Sequence, residues 1–97
     1  MDPIQRSAKI RDALYVRGLK FKDIDEHFRL PTGTAWRTMR EPNPKGEAAL
    51  CEVLDMAPTA LWPERYDADG ERLNPQPLSN YKSLPTMSER RRKVRAA

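Results

Sequence analysis

The chain has 97 residues, 38% of them hydrophobic, with a mean hydropathy of -0.84, so it has room for one small domain and too little apolar surface to bury its whole length. A net charge of +4 and an isoelectric point near 9.5 admit an anionic partner, while the single cysteine, Cys51, excludes an internal disulfide framework and thiolate-rich zinc sites. No apolar run approaches the roughly 18 residues of a membrane span, and MDPIQRSAKIRD lacks the apolar core of a secretory signal, which together suggest a soluble protein of the reducing cytoplasm.

The charge is uneven. Residues 1–66 carry eleven Lys/Arg against ten Asp/Glu, a net of +1, whereas residues 67–97 carry seven against four, a net of +3. Basicity alone therefore describes a tail more than a domain, and any claim about nucleic acid must rest on the geometry of the folded part.

In chain order, Asp2 and Pro3 offer a cap and a proline at the first helical position, and Gly18 offers a left-handed stop. The helix between them has a narrow apolar stripe of Ile10, Ala13 and Leu14, with Arg6, Lys9, Asp12 and Arg17 directed to water. Phe21, Ile24 and Phe28 recur at intervals of three and four and predict a short second helix over about residues 22–28, which Pro31 must end. Thr32 supplies a capping hydroxyl for a third helix over Thr34–Arg40, stopped by Pro42 and Pro44. A fourth helix over Lys45–Asp55 turns Ala49, Leu50, Val53 and Leu54 inward, and Pro58 opens a last short turn that carries Leu61 and Trp62 back onto the core, with Tyr66 beside Trp62 as a lid. Beyond Asp67 the chain holds three prolines before the basic block and no sustained period, so residues 67–97 are expected to be a mobile linker and tail, helical in its basic block only on an anionic partner.

Two short helices joined by a tight turn and wrapped by three more define an all-α, compact five-helix helix-turn-helix domain of the repressor type over residues 1–66, with a disordered C-terminal tail. The stretch PKGEAALCEVLDMAPTALWPERY, from Pro44 to Tyr66, together with Ile10, Leu14, Arg17 and Gly18 upstream, resembles the Ner-like, or Nlp-type, DNA-binding regulators of Mu-type transposable phages and their bacterial relatives. The resemblance spans about residues 8–72 and implies a sequence-specific double-stranded DNA-binding regulator of early transcription or of the lytic or lysogenic choice, acting at the nucleoid of a bacterial host. Asp25 stands where many helix-turn-helix proteins have a small residue, Arg29 where they have glycine, and Gln5 and Arg6 where the family has a Trp-His pair.

Carried over by position, the reading helix presents Thr32, Gly33, Trp36, Arg37 and Arg40, with Ala35 and Met39 facing inward. An arginine fork reads guanine in the major groove, which is why Arg37 and Arg40 three residues apart are the leading candidates; a solvated helix face is the plain alternative. Trp36 fits a thymine methyl or a core position equally. Lys20, Lys22, Thr34, Lys45 and Gly46 are candidates for phosphate contacts, the last two because they open a helix. Arg90, Arg91, Arg92, Lys93 and Arg95 are a candidate DNA arm, with a protein-docking segment or a solubilising tail as alternatives. His27 has no second ligand nearby, Cys51 reads as a small buried hydrophobe, and the carboxylates lack a pocket, so no catalytic residue, metal, cofactor or small-molecule substrate is expected. The negative charge of Asp23, Asp25 and Glu26 in the bracing helix and the nearly neutral charge of residues 1–66 motivate a rival reading, a helix-turn-helix fold reused as a protein-interaction adaptor; monomer and homodimer on DNA both stay open.

Overall fold

The computed structural model of the chain describes residues 2–82 and 86–96. Among the described residues six α-helices follow one another: α1 Pro3–Val16, α2 Phe21–His27, α3 Thr34–Thr38, α4 Pro44–Leu54, α5 Pro58–Leu61 and α6 Met87–Ala96. Short 3-10 turns at Pro63–Arg65 and Leu78–Lys82 complete the order, and a lone bridge between Tyr66 and Arg72 is the β-pairing among the described residues. The fold is all-α, as the sequence implies.

Local signals set the boundaries. The Asp2 carboxylate accepts from the amides of Ile4 at 2.7 Å and Gln5 at 3.2 Å, and Pro3 follows where no amide partner is needed. At the other end Gly18 takes φ +72°, which lets Leu19 donate back to the Leu14 carbonyl. The Asn43 side chain caps α4 through the Gly46 amide, and Asp55, also left-handed, ends it.

Ile10 and Leu14 of α1, Ile24 of α2, Ala35 and Met39 around α3, Ala49, Leu50 and Leu54 of α4, and Leu61 and Trp62 make one buried cluster. Each of α1 to α5, or the turn that follows it, gives residues to this cluster, whereas α6 gives none. Trp62 is fully buried, as expected of the lid, whereas the Tyr66 ring is only half-buried. Arg6 departs from expectation: it is buried and forks onto Glu64, with nitrogen to oxygen distances of 2.6 and 3.1 Å, because the turn after α5 brings that carboxylate over α1.

The packing crosses the boundary expected at Tyr66. Leu73 donates to the Arg65 carbonyl, Gln76 donates to the carbonyls of Arg65 and Leu73 at 2.9 Å, and Asn80 donates to the Glu64 carbonyl at 3.0 Å. Gln76 and Asn80 are themselves buried, so this stretch is held by amide side chains in place of apolar ones. The basic block is also helical without a partner: Thr86 accepts from the Glu89 amide and its own amide donates to the Glu89 carboxylate, a reciprocal cap that opens α6.

Candidate nucleic-acid interface

The bracing helix α2 and the reading helix α3 meet through Asp25. This residue is 4% exposed, and its carboxylate accepts from the amides of Gly33 and Ala35, each at 2.8 Å. Four amides at a helix start lack intrahelical partners, and a charge there is favoured by the helix dipole. Asp25 therefore caps α3 from the neighbouring helix, a task Gly33 at the N-cap has no side chain to do. The chain reaches that arrangement through a left-handed residue at Arg29, φ 55°, after which Leu30 donates to the Asp25 carbonyl. Asp23 is likewise engaged, accepting from the Lys20 amide at 2.8 Å. Two of the three acidic residues that looked hostile to phosphate thus neutralise backbone dipoles, and Glu26 alone stays exposed without such a bond.

The far end of α3 is held by a buried charge network. Arg65, with no exposed surface, donates to the Thr38 carbonyl at 2.9 Å and pairs with Glu47 at 3.3 Å. Glu47, 1% exposed, also accepts from the Tyr66 hydroxyl at 2.6 Å, the Asn43 amide at 2.7 Å and Arg72 at 3.4 Å. The Arg65 guanidinium lies 4.8 Å from the centre of the Trp62 ring, a stacked cation–π contact. Burial pushes Arg65 down from the ordinary arginine range, opposed by the Glu47 charge, and pushes the Tyr66 hydroxyl well up, with its bond to Glu47 acting in the same direction. The Pro-Lys-Gly-Glu and Trp-Pro-Glu-Arg-Tyr stretches that carry the family resemblance are the two halves of this lock.

Between these two fixtures α3 turns Ala35, Thr38 and Met39 into the core and presents Arg37 and Trp36 outward. Trp36 is 45% exposed, which decides between its two readings in favour of the surface. Arg40, half-buried just past the helix, places its guanidinium 5.9 Å from the centre of the Trp36 ring. Thr32 is exposed, whereas the Gly33 amide is spent on Asp25, leaving that glycine only shape to offer. The helix itself is shorter than expected, ending at Thr38.

Among the phosphate candidates, Lys20, Lys22 and Lys45 are exposed. Lys20 shares a shallow hollow with Arg11, Asp12 and Trp36. Two others need correction. Thr34 is buried and its hydroxyl donates to the Pro31 carbonyl at 2.6 Å, so its one proton is already placed. Gly46 is buried, its amide donates to Asn43, and a side chain there would collide with Thr38; it is a glycine for close helix packing. In the basic block Arg90, Arg91 and Arg92 are exposed, and the side chains of Lys93 and Arg95 lie outside the described residues.

Sequence reasoning missed Glu47, Arg65 and Arg72 as a unit. The signal was present in the spacing of the resemblance, but a glutamate four residues into an amphipathic helix reads as surface until its partners are placed. Cys51 is buried, as expected, with its thiol pushed up to about 11 by burial and by the nearby Glu47 charge. Among the described residues no group of His, Cys, Asp and Glu is arranged to hold a metal ion, and no helix is long and apolar enough to cross a membrane.

A helix held at both ends with an arginine- and tryptophan-bearing outer face, preceded by a bracing helix, is a helix-turn-helix reading unit. The model of the winged helix-turn-helix DNA-binding family matches residues 6–77, and the chain belongs to that family. Neither the comparison with curated proteins nor that with solved structures returns a match.

Proposed function

We propose that the chain is a sequence-specific, double-stranded DNA-binding transcriptional regulator of the Ner-like kind, phage-derived, that controls early transcription or the lytic or lysogenic choice at the nucleoid of a bacterial cell. In this reading α3 enters the major groove, Arg37 and Arg40 read bases with Trp36 and Thr32 beside them, and Lys20, Lys22 and Lys45 hold phosphates. The observation that carries it is the division of α3: Ala35, Thr38 and Met39 are buried while Trp36 and Arg37 face out from a helix capped by Asp25 and tied down by Arg65. A surface so rigidly positioned suits readout of a fixed pattern of base edges.

The adaptor reading loses part of its support, since Asp23 and Asp25 are engaged by backbone amides, while the nearly neutral charge of residues 1–66 and the exposed Glu26 still favour it. Selection of bound duplexes from a random pool, followed by titration of Arg37→Ala and Arg40→Ala, tests the proposal. A base-reading arginine costs about 1–3 kcal/mol on the selected site and relaxes preference at one position. Unchanged binding by the double variant, or no duplex selected at all, defeats it and returns the adaptor. A symmetric selected motif would report a homodimer through its half-site spacing.

A further inference from the structure

We propose that the hollow between α1 and α5 is the seat for Leu78 of a second copy of this chain, the two copies pairing about a two-fold axis so that each leucine fills the other's hollow. The hollow measures about 230 Å³ and is lined by Ile10 and Ala13 of α1, Leu54 of α4, Leu61 of α5, and Met56 and Pro63. That exceeds the roughly 150 Å³ apolar cavity that takes up a benzene molecule, so a leucine side chain has room in it. None of its lining residues belongs to α2 or α3, and the α1 residues that border α3, among them Ser7, Ala8 and Arg11, lie on another side of that helix. The surface is therefore separate from the reading helix.

The turn Leu78–Lys82 supplies the occupant. Leu78 is 88% exposed, the highest value among the large hydrophobic side chains described. The turn is nonetheless pinned: Gln76 and Asn80 are buried, Gln76 donates to the Arg65 and Leu73 carbonyls, and Asn80 donates to the Glu64 carbonyl and the Gln76 side-chain oxygen, each at 2.9 or 3.0 Å. Holding a leucine out in water gains nothing by itself, whereas a knob already fixed in place loses little freedom when a second chain covers it. Glu64 and Arg65, which anchor the turn, directly follow Pro63 at the hollow, so knob and hollow adjoin and one two-fold axis can seat both at once. Charge selects Leu78 over other exposed apolar groups. Lys9, in no ion pair among the described residues, borders the hollow and disfavours Met87 and Val94 of the arginine-rich α6 and Val16 beside Arg17, whereas Leu78 stands between Pro77 and Ser79.

Sedimentation of the full chain without DNA, from about 1 μM to about 1 mM, tests the pairing. The mass should rise reversibly from 11.2 kDa to twice that value and stop there. Each chain carries a net +4, so added salt should strengthen this apolar contact, the reverse of its effect on duplex binding. Leu78→Asp should weaken association by at least about 100-fold, since two buried leucines are lost together, and Leu78→Met should keep it. Ala60→Arg fills the hollow from the other side and should also leave monomers. Both positions are exposed, so melting midpoints should match the parent. Mixing Leu78→Asp with Ala60→Arg should restore association, because one seat is then intact and the introduced carboxylate faces the introduced guanidinium in the other. A parent that stays monomeric at the highest concentration, growth beyond a dimer, a dimer indifferent to either variant, or a mixture that stays monomeric overturns the pairing. No duplex is present, so these outcomes are independent of the reading of α3. On that reading the duplex selected by the parent should carry two half-sites at one fixed spacing, and Leu78→Asp should fill them without cooperativity.

Discussion

Replacing Glu47 by glutamine keeps the volume of the side chain and one acceptor oxygen while removing its charge. The Tyr66 hydroxyl and the Asn43 amide can share that oxygen or lose their charged acceptor, and Arg72, about a third exposed, can turn toward water. Arg65 cannot: its side chain has no exposed surface, and its remaining partners are the Thr38 carbonyl and the Trp62 ring. An unpaired buried charge of this kind costs about 3–5 kcal/mol, a large share of the roughly 5–15 kcal/mol that holds a domain together. At about 4–8 °C per kcal/mol for a domain of this size, the melting midpoint should fall by at least roughly 12 °C. Urea melts of the parent, Glu47→Gln, Arg65→Met and the double variant measure it. The double variant should regain at least about 1 kcal/mol relative to the sum of the single losses, because no charge is then left buried alone. A loss below about 1 kcal/mol in Glu47→Gln would refute the claim that this pair is the lock of the domain.

Two further expectations concern the helix cap and the thiol. Asp25→Asn leaves one acceptor oxygen for two amides, so it should cost about 1–2 kcal/mol in urea melts and weaken the selected duplex more than a random one; equal binding on both would separate the cap from reading. For pH, the raised thiol of Cys51 contributes stability that is complete below its ordinary value of 9.0 and disappears as pH rises through about 11, with Tyr66 adding to the loss at still higher pH. Melts should therefore be flat from neutral pH to about 9 and fall beyond it, the first part of the fall being absent in Cys51→Ala, and the folded thiol should react far more slowly with a disulfide reagent than the unfolded one.

Hydrophobic spacing and punctuation made much of the fold legible. Asp2 with Pro3, Gly18, Pro31, Pro44 and Pro58 mark where helices start or stop, and Ile10, Leu14, Ile24, Leu50 and Leu54 are all in the core. Legibility failed where polar side chains do structural work. Arg6, Asp25, Glu47, Arg65, Gln76 and Asn80 are buried because each finds a partner between 8 and 58 positions away or closes on a neighbouring amide, and no local window carries that information. The same limit hides the packing of Gln76 and Asn80 past Tyr66, where composition counts apolar residues and misses amides bonding to carbonyls. For the candidate interface, Arg37 could be placed outward from spacing alone.

The reading helix is five residues long, far short of the dozen or more that a helix needs to persist in water by itself. Its order must come from outside, and the two fixtures that supply it sit at opposite ends: Asp25 on the first amides and Arg65 on the last carbonyl, with Glu47 holding Arg65. None of these three residues faces the outer surface of α3. On the proposed reading, rigidity and readout are carried by different side chains, so Trp36 and Arg37, both exposed, can be exchanged for others without disturbing what keeps the helix in place. On that reading a chain built this way can change the duplex it reads while keeping its fold, because Asp25, Glu47 and Arg65, which position α3, are buried and its outer face is not.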